Sequence, residues 1–191
     1  MSRDDESMMM LAISEGEQAR GKTGDNPWVG CVIATEGAEV ISRGCTQGPG
    51  EDHAEIVALA EAKTRGVSLR GCTLYSTLEP CSFHGRTPAC ARVIVERGIE
   101  RVVIGMRDPH PRVDGVGIQI LRDAGIEVVE GVCEALVRQQ LGSWVLAFHP
   151  HEPARRARSL SATLDPSMLA RALADTYAID LVQAEAILRN L

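Results

Sequence analysis

Apolar residues recur along the chain with two periods, one typical of amphipathic helices and one of buried strands. Helical spacing of the apolar positions predicts a first helix over residues 5–20. Two apolar runs follow, at 28–34 and 38–43, with Glu36 and Gly37 between them. Short apolar runs joined by a glycine-containing turn predict an antiparallel hairpin.

The rest of the chain, up to residue 148, alternates helical with strand-like segments. The pattern predicts helices near 53–65, 88–96, 117–124 and 133–148, and strands at 73–77, 101–105 and 126–130. Because β-α-β alternation requires parallel pairing and right-handed crossovers, the predicted fold class is α/β. We expect a three-layer α-β-α sandwich around a five-stranded mixed sheet. Ligands of such sheets bind at the carboxyl ends of strands, where the strand ending at Thr77 places Cys81.

The segment after residue 148 has a different character. From His149 to Ser159 it combines prolines with three arginines, which predicts a polar linker. Apolar positions at helical spacing over 166–177 and 180–190 then predict a short helical pair, suited to packing or to dimer formation. The predicted organisation is therefore one domain at 1–148 and a linker with a helical appendage at 149–191.

Composition narrows the possible partners and compartment. Of the 191 residues 24% are charged, and the net charge of −6 provides no general basic surface for nucleic acid. No apolar run approaches the ~20 residues that span a bilayer, and the acidic N-terminus does not resemble a signal peptide. The six cysteines lie mostly in or beside apolar segments, which favours a reducing, cytoplasmic compartment over a disulfide framework. We expect a small-molecule substrate, with neither nucleic acid nor membrane as a partner.

Candidate chemistry concentrates in two short motifs. Cys81 and Cys90, separated by eight residues, follow a predicted strand, and His53 lies at the head of a predicted helix. One imidazole and two thiolates form a three-ligand Zn²⁺ set with a fourth position for water, and thiolates argue against magnesium or calcium. Glu55, two residues from His53, is suitably placed to carry protons. His-x-Glu followed by Pro-Cys and a second Cys is typical of zinc-dependent deaminases.

Three other interpretations remain open at this point. His84 could complete a closed structural zinc site, and Glu55 could be an ordinary first-turn glutamate stabilised by the helix dipole. A zinc-stabilised binding module without activity would retain function after Glu55→Gln. A nucleic-acid deaminase should show a basic strand-binding face, which the net charge disfavours.

His53-Ala54-Glu55, together with the stretch Leu-Glu-Pro-Cys-Ser-Phe-His-Gly-Arg-Thr-Pro-Ala-Cys ending at Cys90, resembles the deaminase domain of the bifunctional riboflavin-biosynthesis deaminase/reductase. This domain belongs to the cytidine deaminase-like superfamily. The eight-residue cysteine spacing is distinctive of this branch, since most of the superfamily has two intervening residues. Asn26-Pro27-Trp28 and Asp108-Pro109 match as well, and the resemblance covers roughly residues 7–145.

The resemblance implies a cytidine deaminase-like fold and hydrolytic deamination of a diaminohydroxyphosphoribosylaminopyrimidine, with release of ammonia. It implies His53, Cys81 and Cys90 as zinc ligands and Glu55 as the catalytic proton shuttle. It also implies a homo-oligomer, most simply a dimer. The segment 149–191 is too short for the family's reductase domain, so we expect no NADPH. Under this resemblance the expected substrate-binding residues are Thr23, Asn26, His84, Arg86, Thr87, Asp108 and His110.

Three positions depart from the family's usual pattern. Phe83 stands where the family usually has histidine, His110 where it has asparagine, and Val116 where it has lysine or arginine. These departures affect substrate recognition and leave the zinc motifs intact. An alternative is therefore a standalone paralogue that deaminates a different pyrimidine or nucleoside-like intermediate, in a secondary-metabolite or antibiotic pathway.

Overall fold

The computed structural model describes residues 3–83 and 88–189, and its helices and strands up to residue 148 follow the predicted order. The elements are α1 Arg3–Glu17, β1 Gly30–Ala34, β2 Val40–Cys45, α2 Ala54–Thr64, β3 Thr73–Leu78, α3 Cys90–Glu96, β4 Arg101–Met106, α4 Val116–Asp123, β5 Glu127–Glu130, α5 Glu134–Phe148, α6 His151–Leu160, α7 Pro166–Tyr177 and α8 Leu181–Arg189. In the described part of the chain, no helix is both long and apolar enough to cross a membrane.

The five strands form one mixed sheet in the order β2-β1-β3-β4-β5. β1 pairs antiparallel with β2 and with β3, whereas β3, β4 and β5 pair in parallel. Leu78 lies opposite Met106 in the register of β3 and β4, so the carboxyl ends of these two strands are adjacent. The hairpin, the parallel pairing and the α/β fold class are confirmed.

Helices cover both faces of this sheet. Met9 and Ala12 of α1 share a buried cluster with Val32, Tyr75 and Val103, which project from one face of the strands. On the other face α2 lies so close to β2 that a Cβ at Gly44 would be 2.3 Å from the carbonyl oxygen of Ala54. The alternation of side chains along each strand therefore buries both faces, as in a three-layer sandwich.

The chain divides into two compact units, Met1–Val137 and Arg138–Leu191. The division falls inside α5, whereas the predicted domain boundary was residue 148. In the second unit the predicted linker is wrong, because His151–Leu160 forms the helix α6. Pro153 lies in the first turn, where a missing N–H costs little, and arginines are good helix formers.

The predicted helical pair of the tail is confirmed as α7 and α8. Asp165 caps α7 by accepting hydrogen bonds from the backbone N–H groups of Ser167 and Met168. Within this second unit the buried carboxylate of Glu152 accepts hydrogen bonds from Arg138, at 2.7 Å, and from the Tyr177 hydroxyl. A paired and hydrogen-bonded buried charge of this kind holds helices in one arrangement.

Candidate metal centre and active site

Three separate elements bring the candidate metal ligands together at the carboxyl end of β3. His53 is the N-cap residue of α2, Cys90 is the first residue of α3, and Cys81 lies three residues beyond the end of β3. The Nδ1 atom of His53 lies 3.6 Å from the Sγ atom of Cys81 and 3.3 Å from that of Cys90. All candidate donor atoms of the three residues lie within 4.8 Å of one another.

The local fold prepares Cys81 to act as a thiolate. The backbone N–H of Cys90, at the start of α3, donates to the Sγ atom of Cys81 over 3.3 Å. The hydrogen bond from the Cys90 thiol, together with the contact to His53, lowers the pKa of Cys81 to about 4. The same sharing of a proton, reinforced by burial, holds the pKa of Cys90 well above its ordinary value. One ligand of the set is therefore already anionic near neutral pH.

This donor set fits zinc in chemistry and in spacing. Zinc prefers imidazole nitrogen and thiolate sulfur in a tetrahedral arrangement, with bonds of about 2.0–2.1 Å and 2.3 Å. Those bond lengths place a coordinated nitrogen and sulfur about 3.5 Å apart, which matches the observed 3.3 and 3.6 Å separations. Soft thiolates make the set unsuitable for magnesium or calcium.

Glu55 lies in the first turn of α2 and is 4% exposed. Burial raises the pKa of Glu55 to about 7, although the positive charge of His53 opposes this rise. Such a carboxyl group can both hold and release a proton near neutral pH. The structure thus places Glu55 next to the ligand set, as the His-x-Glu motif predicted.

A pocket of about 450 Å³ opens over the ligand set. Ligand sites for small molecules commonly have volumes of about 300–1,000 Å³. The residues that bound this pocket include Thr23, Asn26, Glu51, His53, Cys81 and Phe83. Two loops, 23–26 and 49–51, thus form its walls opposite Phe83. Sequence reasoning did not find the 49–51 loop, because nothing in its glycine and proline content signals a contact with the loop at 23–26.

The predicted substrate-binding residues fall into three groups. Thr23 and Asn26 line the pocket, and the Thr23 hydroxyl donates to the Asn26 carbonyl over 2.6 Å. Asp108 and His110 do not line it, and the backbone N–H of His110 donates to the Asp108 carboxylate over 2.8 Å. The remaining three, His84, Arg86 and Thr87, lie outside the described residues.

Phe83 forms the aromatic side of the pocket. Its ring centroid lies 5.9 Å from that of His110, and the guanidinium carbon of Arg112 lies 5.3 Å from the Phe83 ring centroid. The side chain is 38% exposed, so one part of the ring packs against this pair while another part remains open to the pocket. His110 therefore contributes to the pocket through Phe83, and a pyrimidine in the pocket would meet an apolar ring here.

The sequence placed Glu79 at this end of β3 but indicated no role for it. It is 2% exposed, and its carboxylate accepts backbone hydrogen bonds from the segment that precedes and begins α4. A glutamate directly before Pro80, at the end of a buried strand, is a sequence signal for a buried carboxylate. Its partners were not visible, because they lie more than thirty residues away in sequence.

Comparisons with known proteins agree with this geometry. A family model described as "Cytidine and deoxycytidylate deaminase zinc-binding region" matches residues 2–106. Riboflavin biosynthesis protein RibD of Aquifex aeolicus is 44% identical over 135 residues, and the alignment covers 71% of this chain and 37% of the relative. RibD of Escherichia coli is 45% identical over 128 residues, covering 67% of this chain and 34% of the relative. The chain thus spans about a third of the length of these curated relatives.

A solved structure shows the same fold. The diaminohydroxyphosphoribosylaminopyrimidine deaminase/5-amino-6-(5-phosphoribosylamino)uracil reductase of Thermotoga maritima superimposes with a TM-score of 0.73 and 39% identity. The superposition covers 78% of this chain and 42% of that one.

Proposed function

Since the chain belongs to the family of the cytidine and deoxycytidylate deaminase zinc-binding region, we propose that it catalyses zinc-dependent hydrolytic deamination of an aminopyrimidine. The proposed substrate is a diaminohydroxyphosphoribosylaminopyrimidine or a close relative. One observation carries this proposal. The donor atoms of His53, Cys81 and Cys90 lie within 4.8 Å of one another, beneath a pocket and beside the buried Glu55.

In this reaction His53, Cys81 and Cys90 would hold the zinc ion. When bound, zinc supplies Lewis-acid chemistry that makes water a nucleophile near neutral pH. The chain contributes the geometry: the N-cap residue of α2 and the first residue of α3 lie at the same point, and the turn after β3 adds the third ligand.

Glu55 moves the protons of the reaction. Its carboxylate accepts a proton from the attacking water, whose oxygen forms a bond with the ring carbon that carries the amino group. Glu55 passes this proton to the ring nitrogen, then takes the second proton of the water from the new hydroxyl group and gives it to the amino group. The carbon–nitrogen bond breaks and ammonia leaves. A carbonyl replaces the amine on the ring, so that one water is consumed for each ammonia released. A carboxyl group that exchanges protons in this way must lie within hydrogen-bond reach of the reacting atoms.

The pocket walls orient the ring for this attack. Asn26 lines the pocket and provides a side-chain amide, which can both donate to and accept from a pyrimidine edge. Thr23 supports the turn that carries Asn26 through its 2.6 Å hydrogen bond to the Asn26 carbonyl. We assign Asn26 to substrate binding and Thr23 to shaping the loop.

Phe83 favours a second candidate within the same chemistry. An aromatic ring that lines the pocket provides stacking surface and no hydrogen bond for a polar substituent. A paralogue that deaminates a different pyrimidine or nucleoside-like intermediate, in a secondary-metabolite pathway, would use the same zinc ligands and Glu55. The two candidates share the reaction and differ in the substrate.

Ammonia release from a panel of aminopyrimidines, with and without a ribose phosphate, tests both candidates. The proposal predicts release from at least one compound by the zinc-loaded wild type and a large loss in Glu55→Gln. The highest kcat/KM with the phosphoribosylated compound supports the riboflavin substrate, and the highest value with another pyrimidine supports the paralogue. Absence of release from every compound, or equal release by Glu55→Gln, would contradict the proposal. Homodimer formation, a cytoplasmic location and the exclusion of nucleic acid as a partner stay predictions.

A further inference from the structure

The carboxylate of Glu79 lies at the meeting point of the Cys81 turn and the segment between β4 and α4. It accepts backbone hydrogen bonds from Gly115 at 2.9 Å, Gly117 at 2.9 Å and Ile118 at 3.2 Å. A longer contact of 3.4 Å comes from the backbone N–H of Asp108. Since an ionised carboxylate offers about four acceptor sites, this one side chain is nearly saturated by backbone donors.

Backbone packing brings the same two segments into contact. A Cβ at Gly117 would lie 2.0 Å from the carbonyl oxygen of Pro80, so the start of α4 lies directly against the turn. The backbone N–H of Glu79 also donates to the Met106 carbonyl over 2.9 Å, which extends the pairing of β3 with β4 by one residue. Glu79 is therefore fixed at its backbone as well as at its carboxylate.

The segment held by Glu79 supports one wall of the pocket. His110, within this segment, packs with its ring tilted by 37° against that of Phe83, which lines the pocket. The Ser82 hydroxyl donates to the Arg112 carbonyl over 3.0 Å, a second link between the turn and the segment. A displacement of the segment would therefore move His110, which packs against Phe83.

We infer that Glu79 is a positioning residue for the proposed reaction, on which this inference rests: its carboxylate holds the segment 108–118 so that His110 supports Phe83 over the metal centre. The ligands His53 and Cys90 lie at the starts of α2 and α3, and the third ligand, Cys81, accepts a hydrogen bond from the Cys90 backbone N–H. The Glu79 carboxylate bonds none of these three residues. Loss of the carboxylate therefore affects substrate binding more than metal binding.

Glu79→Gln tests this role with minimal change in shape. Its amide places N–H groups against backbone N–H donors, so two of the carboxylate's contacts become repulsive. We expect KM for the best substrate of the panel to rise about tenfold to a hundredfold, as a misplaced contact of about 1 Å can produce. We expect kcat to stay within about threefold and zinc to remain bound at wild-type stoichiometry.

Glu130→Gln is a matched control. Glu130, in β5, accepts hydrogen bonds from Arg107 at 2.6 Å, directly before the segment 108–118, and from Arg122 of α4 at 2.7 Å. It does not link them to the Cys81 turn. We expect its KM to stay within about twofold of wild type. A purely structural role of Glu79 would give both variants the same kinetic profile.

Gly117→Ala gives an independent test if Glu79→Gln folds poorly. Its Cβ pushes α4 away from Pro80 while the Glu79 carboxylate remains, and the same selective rise in KM is expected. Unchanged KM in both variants, or a parallel loss of zinc and kcat, would overturn the positioning role. The wild type is assayed first: its failure to release ammonia overturns the proposed function, whereas an active wild type with unaffected variants overturns only this inference.

Discussion

The two ends of the β3–β4 pair bury carboxylates in contrasting ways. At the amino end, Asp5 is 2% exposed and accepts hydrogen bonds from Arg101 at 2.7 and 3.2 Å and from the Tyr75 hydroxyl at 3.3 Å. At the carboxyl end, Glu79 is equally buried but is held by backbone N–H groups. Glu55, in the same region, is buried with a pKa raised to about 7.

This contrast distinguishes a buried carboxylate that stabilises the fold from buried carboxyl groups that serve the proposed reaction. A buried carboxylate paired with a guanidinium satisfies its charge and contributes to the native packing. A buried carboxyl group with a raised pKa is costly to the fold and is typical of sites that move protons. The amino end of the strand pair thus stabilises the sheet, whereas under the proposed function the carboxyl end carries the chemistry. The four predictions that follow test this division, from the largest expected effect to the smallest.

Replacement of a metal ligand should have the largest effect. We expect Cys81→Ala to lose the bound zinc and to reduce kcat/KM by more than about 10⁴-fold, because the Lewis acid that activates water is lost. Elemental analysis and ammonia release measure the two effects. Cys72→Ala, at the other end of β3, is the matched control and should retain both zinc and activity. Full activity in Cys81→Ala would show that Cys81 is not a metal ligand.

Glu55→Gln should abolish proton transfer while leaving the metal site intact. We expect kcat to fall by about 10²–10⁴-fold, the usual contribution of a positioned acid–base group. The control is Glu61→Gln on the same helix, because Glu61 accepts a hydrogen bond from the Arg43 backbone at 2.8 Å, outside the pocket. A loss of zinc in Glu55→Gln would show that Glu55 serves the ligand set instead of the reaction.

Asp5→Asn should affect stability and leave catalysis unchanged. Removing the charge opposite the partly buried Arg101 should reduce the free energy of unfolding by about 1–3 kcal/mol. Urea denaturation measures this loss, and kcat/KM of the folded enzyme should stay within about twofold. A fall in kcat/KM without a loss of stability would contradict the division between the two ends.

Asp108 should make stability depend on pH. Burial raises the pKa of Asp108 to about 7, while the His110 backbone N–H opposes the rise. Between its ordinary value near 3.8 and about 7, the folded chain binds more protons than the unfolded chain, so stability falls as pH rises. In Asp108→Asn this contribution is absent, so the free energy of unfolding of the wild type should fall more than that of the variant over this window. An equal change in the free energy of unfolding between pH 4 and pH 7 in the wild type and in Asp108→Asn would contradict the raised pKa of Asp108.

Most of the fold could be predicted because local patterns agreed with the final packing. Alternation of strand and helix signals after residue 70 specified the parallel strands, and His53, Cys81 and Cys90 lie together as their motifs required. The prediction of a linker was wrong because Pro150 and Pro153 were interpreted as residues that interrupt a helix. In the structure Pro150 precedes α6 and Pro153 occupies its first turn, where proline is tolerated.

Of the pocket walls, Thr23 and Asn26 were predicted from the resemblance, whereas the loop at 49–51 was not, because its place depends on contacts between distant loops. No periodicity relates Glu51 to Thr23, and both line the pocket only after the hairpin and α2 are in place. The partners of Glu79 are a similar case, since Gly115 and Gly117 are turn and helix residues with no polar side chain of their own. Backbone donors leave no signature in a sequence.

Titration of the metal-free protein with zinc, with ammonia release as the readout, tests the central claim most directly. The best substrate of the panel is used throughout. If the carboxyl end of β3 is the active site, activity should rise linearly with added zinc and reach a plateau at one ion per chain. Activity that is independent of zinc, or a chain that binds one zinc ion and releases no ammonia from any pyrimidine, would contradict the account.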